Sequence, residues 1–81
     1  MIQVKYEMTD TFGGDANYSW VNRGGFAYKE NMTDRSIVRK VKKELGITGV
    51  RCKKTEFGDE IVLDIVGACI RIFITFEEVG E

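Results

Sequence analysis

VRCKKTEFGDEIVLDIVGACIRIFITF, residues 50–76, is the stretch whose reading decides the fold. Gly58-Asp59 and Gly67-Ala68 each read as two-residue hairpin turns, and turns of that kind fix the register of the strands they join. The first sets Lys53 opposite Asp64 and Cys52 opposite Ile65; the second sets Asp64 opposite Arg71, Leu63 opposite Ile72, Val62 opposite Phe73 and Ile61 opposite Ile74. Lys53, Asp64 and Arg71 then form a charge ladder on one face of a three-stranded meander, each pair contributing about 0.2–1 kcal/mol. The other face collects Val50, Cys52, Ile61, Leu63, Ile65, Ile70, Ile72, Ile74 and Phe76. A slip of one residue in either hairpin would turn the ladder charges into that apolar face, so pattern, turn and charge demand the same register.

Upstream of the meander, Thr33 is an N-cap, Asp34 lies at the positive end of the helix dipole and Gly46 is a left-handed C-terminal cap, which bounds a helix over 34–45. Ile37, Val38, Val41 and Leu45 share one side of it and dock on the aliphatic sheet face, while Arg35, Arg39 and Lys42 line the opposite side. At the start, Ile2, Val4, Tyr6 and Met8 alternate with Gln3, Lys5, Glu7 and Thr9, the period of a half-buried strand. Asp10–Asp15, with Gly13-Gly14 inside it, reads as a turn-rich loop. Residues 16–23 and 26–29 read as a second strand and its return, folded back across Gly24-Gly25. The expected architecture is one α+β domain over residues 1–81, in the order β-β-α-β-β-β, with the helix on one face of an antiparallel sheet.

The 81 residues contain no histidine, which excludes Ser-His, Cys-His and His-metal chemistry. Cys52 and Cys69 are expected on opposite sheet faces, which separates them too far for a disulfide or a shared metal. Asp10, Asp15 and Asn17 flank Gly13-Gly14 without the spacing of a calcium loop, so capping of the loop backbone is the better account of them. No cofactor or metal is expected. An enzyme built on Asp10, Asp15 and the tyrosines would lack any recognisable constellation. The Met-Ile-Gln-Val-Lys start lacks the apolar run of a signal peptide and no stretch approaches the length of a membrane span of about 18 residues, so the expected compartment is the cytoplasm. The Asn31-Met32-Thr33 sequon is then incidental.

The formal net charge of −1 hides a division along the chain. Residues 33–55 hold eight basic and two acidic side chains, whereas residues 56–81 hold one basic and seven acidic. Five of the nine aromatic residues, Phe12, Tyr18, Trp20, Phe26 and Tyr28, fall within 17 positions, in a chain whose strands already supply an aliphatic core. Such rings either close the open end of a thin core or form a contact surface, because Tyr, Trp and Arg are enriched at binding hot spots and Arg23 stands among them.

The segment Asp10-Thr11-Phe12-Gly13-Gly14-Asp15-Ala16-Asn17-Tyr18-Ser19-Trp20-Val21, followed by Lys42–Arg51, resembles small uncharacterised proteins encoded by phages and other mobile elements. The likeness spans about residues 10–51. It implies a mobile-element accessory protein, for which inhibition of a host defence nuclease, an anti-CRISPR role, is one function such proteins fill. It assigns no site.

The sequence thus points to a non-enzymatic module that binds a protein partner, with Tyr18, Trp20 and Arg23 as the contact and Arg35, Arg39 and Lys42 steering its approach. Two other readings compete with it. The basic helix could follow a nucleic-acid backbone, against which stands a sequence pI near 5.5. Alternatively the chain is a structural homodimer, joined through Val62, Phe73 and Phe57 or through an exposed strand edge. The expected solution state is a monomer or a homodimer, with no membrane involvement.

Overall fold

A computed structural model describes residues 1–28 and 32–78. Six elements follow in the order β1 (Ile2–Phe12), β2 (Asp15–Tyr28), α1 (Asp34–Glu44), β3 (Cys52–Phe57), β4 (Glu60–Ile65) and β5 (Ile70–Glu78). The five strands form one sheet in the spatial order β2-β1-β5-β4-β3, and every neighbouring pair is antiparallel. β2 and β3 are consecutive strands on opposite edges. The chain between them must cross a whole face, and α1 makes that crossing as the second layer.

The meander has the register expected of its turns. Lys53 pairs with Asp64, Cys52 with Ile65, Asp64 with Arg71 and Ile61 with Ile74. Side chains alternate across a strand, so this register directs Ile61 and Leu63 of β4 and Ile72 and Ile74 of β5 to the helix side. There they meet Val4 and Tyr6 of β1 and Ile37 and Val41 of α1, a cluster in which no side chain is more than 8% exposed. Each of the fully buried aliphatic side chains contributes about 1.5–3 kcal/mol relative to exposure. Cys52, Ile65 and Phe76 pack against this cluster as expected, whereas Val50, just short of β3, and Ile70, at the start of β5, are not part of it.

The helix limits follow from their caps. The Thr33 hydroxyl accepts the Ser36 amide at 3.1 Å. At the other end the Gly46 amide donates to the Lys43 carbonyl at 3.1 Å and the Ile47 amide to the Lys42 carbonyl at 2.9 Å. Gly46 has φ of +75°. This paired arrangement satisfies carbonyls that the last turn would leave open.

Three expectations need correction. Asp10–Asp15 is not a loop: β1 runs on to Phe12, and only Gly13 and Gly14, with φ of +63° and +89°, turn the chain. Nor does the chain fold back at Gly24-Gly25. β2 is one strand throughout, and these two glycines lack the positive φ of the turn glycines. They are needed for close approach instead. A Cβ on Gly24 would lie 2.2 Å from the Tyr6 hydroxyl oxygen, and one on Gly25 would lie 2.6 Å from the Val4 carbonyl oxygen. Lys29, where the expected return strand ended, and Asn31 of the sequon lie outside the described residues. Cys69 also departs from expectation: it sits exposed in the turn between β4 and β5 rather than on a sheet face.

Candidate functional site

The β1–β2 pair contains a pronounced irregularity. From Ile2↔Tyr28 to Thr9↔Val21 the pairing is regular, and beyond it Thr11 pairs with Ala16 and Phe12 with Asp15. Residues 17–20 therefore all stand against Asp10 alone, forming a bulge far larger than the single extra residue of the common kind. The cause lies in two competing demands. The Gly13-Gly14 turn taken alone would place Arg23 opposite Val4 and Val21 opposite Tyr6, whereas the observed shift places Phe26 opposite Val4 and Gly24 opposite Tyr6. Only an odd number of extra residues in β2 reconciles a tight turn with an apolar helix side.

Two β1 side chains hold the bulge. Thr9 is fully buried, and its hydroxyl donates to the Trp20 carbonyl and accepts the Tyr18 amide, both at 3.0 Å. The Asp10 carboxylate accepts the Ser19 hydroxyl at 2.6 Å, the Ser19 amide at 2.9 Å and the Asn17 side-chain amide at 2.9 Å. These bonds, those from Ser19 first and from Asn17 next, hold the Asp10 carboxyl well below the usual carboxylate range. Asp10 thus caps the Ser19 backbone amide, and Asn17 supports that carboxylate through its side chain. No group of three or more potential metal-ligating side chains occurs among the described residues.

The network keeps Tyr18 at φ of +54°, a left-handed conformation costing a non-glycine residue about 1–3 kcal/mol. It also leaves Phe12 79%, Tyr18 49% and Trp20 41% exposed. Phe26 and Tyr28 behave otherwise: both are half-buried against the core, and the Lys40 ammonium lies 5.1 Å from the centre of the Phe26 ring. The aromatic cluster of the sequence therefore divides. Its last two rings close the core and its first three face solvent.

Tyr18 neighbours the Glu7 carboxylate, on the sheet face that the helix leaves open. Arg23 Nε lies 2.7 Å from Glu7 Oε2. Hydrogen bonding from Arg23, then from Tyr18, lowers the Glu7 pKa, and the same carboxylate raises those of Tyr18 and Arg23. Around this trio lies a shallow depression of about 460 Å³, lined by Lys5, Tyr18, Arg23, Glu60, Phe73 and Thr75 among others. It adjoins the apolar strip of β4 and β5, where Val62 and Phe73 flank the Arg71–Asp64 pair, whose Nε–Oδ1 distance is 2.7 Å. Lys53 stands opposite Asp64 in register, but it is Arg71 that closes on the carboxylate.

Arg35, Arg39 and Lys42 lie elsewhere. They line a groove on α1 with Val38, Thr48 and Gly49, remote from the open sheet face because α1 covers the other one. The six residues expected to act together therefore form two surfaces: Tyr18, Trp20 and Arg23 on the β1–β2 hairpin, and Arg35, Arg39 and Lys42 on the helix. Lys42 also has a structural task, its ammonium donating to the Val50 carbonyl and tying the helix to the β3 approach. Arg35 and Arg39 form no ion pair among the described residues. Sequence reasoning passed over Thr9 and Glu7, which read as ordinary outward positions of a strand. The incompatibility of turn and apolar register is the signal that would have exposed Thr9.

In class, this is a two-layer α+β domain with one sheet face under a helix, the other open, and a braced aromatic bulge beside the open face. No known protein family, curated protein or solved structure matches the chain. No helix of the described residues is long and apolar enough to cross a membrane.

Proposed function

We propose that the protein is a non-enzymatic interaction module whose contact with a protein partner is centred on Tyr18, Trp20 and Arg23. The observation that carries this reading is the bracing of residues 17–20. A buried threonine and an exposed carboxylate are both committed to holding a strained segment whose two rings remain in solvent. The register requires an odd number of extra residues in β2, which one would satisfy; three, braced with their rings in solvent, go beyond that requirement. Binding accounts for them: fixing an aromatic anchor beforehand removes the ordering cost of association. Strained backbone over-determined by its surroundings is characteristic of ligand clamps and switch regions. Arg35 and Arg39 supply the long-range attraction, on the other layer of the domain.

In its specific form the proposal is a phage or mobile-element accessory protein acting in the host cytoplasm as an inhibitor of a defence nuclease, an anti-CRISPR, which is what the resemblance read in residues 10–51 implies. Affinity capture from host lysate tests the general reading, with the Tyr18→Ala/Trp20→Ala double variant beside the wild type and Phe57→Ala. Loss of a protein recovered by the other two supports it, and recovery of the same proteins by all three overturns it. Plasmid cleavage by the host CRISPR nuclease tests the specific form: uninhibited cleavage in the presence of the protein removes that role and leaves the module reading standing.

A further inference from the structure

The two edges of the sheet differ in a way that the proposed contact does not use. β3 has six residues, among them Lys53, Lys54 and Glu56, and charges on an exposed edge discourage pairing with another chain. β2 has fourteen residues and is bonded on its other side only to β1. Between Ala16 and Tyr28 its one charged side chain is Arg23, already neutralised by Glu7. Proline, the other common guard of an edge, is absent from the whole chain. The bulge bends the strand at 17–20 and ends any regular ladder there. Val21–Tyr28 remains in unbroken register with β1, and its outer hydrogen-bonding side has no partner among the described residues.

We infer that Val21–Tyr28 is a dimerisation edge, which pairs antiparallel with the same segment of a second copy about a two-fold axis normal to the sheet near Gly24-Gly25. An antiparallel ladder has that symmetry itself, so one segment serves both partners. The axis carries each sheet face onto the same face of the second copy, giving a ten-stranded sheet with both helices on one side. Phe26, half-buried at the present margin close to the axis, then lies diagonally across from its counterpart on the helix side. A nearly uncharged strand opposes no like charges when it meets itself, and it offers no charge pattern to select a foreign strand. The ladder is short, so the dimer forms in a concentration-dependent manner.

Light scattering and sedimentation over a concentration series test the inference, starting from a monomer of 9.2 kDa. The mass should climb towards that of the dimer for the wild type and for Phe57→Lys. In Asn22→Lys/Ala27→Lys, which places ammonium groups along the edge, dissociation should become easier by about tenfold or more. A wild type that stays monomeric throughout overturns the inference, as does a dimer dissolved by Phe57→Lys and untouched by the edge variant. Should the edge variant misfold, amide exchange of the wild type decides. Amides within 21–28 should exchange more slowly in concentrated than in dilute protein while those of 52–57 do not change, and equal exchange at both concentrations contradicts the pairing.

Discussion

The Tyr6 ring occupies the space above Gly24 where any other residue would place its Cβ, 2.4 Å from the ring carbon that bears the hydroxyl. Tyr6 is 8% exposed and its hydroxyl donates to Glu44 Oε1 at 3.3 Å, so the contact joins an edge strand to the last turn of the helix through one side chain. Gly24→Ala should therefore force the ring outward and destabilise the fold by about 1–3 kcal/mol. Urea unfolding checks this. The cost should shrink in a Tyr6→Ala background, because neighbours that share a contact are not additive.

Asp10 sets the acid limit of the bulge. Its carboxyl is held below the ordinary value of about 3.9, so its contribution to stability is complete above that value and is lost as pH falls through the depressed one. The Ser19 amide resonance, followed by NMR in acid, should titrate with a midpoint well below that of a free aspartate. Asp10→Asn should abolish that titration.

The meander charges are unequal in effect despite their symmetrical register. Arg71 is bonded to Asp64 and the pair is partly exposed, so Arg71→Ala should cost up to about 1 kcal/mol. Lys53→Ala should stay within about 0.5 kcal/mol, as for a surface residue with no closed contact. Thermal or urea unfolding of both variants separates them.

The helix start is the simplest case. Thr33 caps the Ser36 amide in an exposed position, so Thr33→Ala should cost about 1 kcal/mol while Thr33→Asn or Thr33→Asp should cost little. Equal losses in all three would mean that the hydroxyl has no capping role.

What could be read in the sequence was whatever short-range rules settle by themselves. The turns at Gly58 and Gly67, the alternation of Ile61, Leu63, Ile72 and Ile74, and the caps Thr33 and Gly46 each constrain a few neighbouring residues, and all agree. The β1–β2 hairpin resisted because its rules conflict. Gly24-Gly25 has the composition of a turn, yet its role is set by Tyr6 and Val4, some twenty positions away, and glycine signals a close approach and a tight turn with the same letter. The site was legible by residue type and not by place. Clustered aromatic residues suggested a contact, but Phe26 and Tyr28 fell to the core because the register shift sends them there. The basic residues of α1 and the hairpin aromatics are close in sequence and lie on different layers, a separation that only the crossover from one edge to the other creates.

Backbone relaxation of residues 17–20 tests the central claim, that Thr9 and Asp10 hold Tyr18 and Trp20 rigidly in solvent. Amide order parameters there should equal those of the flanking strands, about 0.85, and should fall in Asp10→Ala. Values below about 0.6 in the wild type would contradict the account, because a mobile bulge presents no prearranged surface.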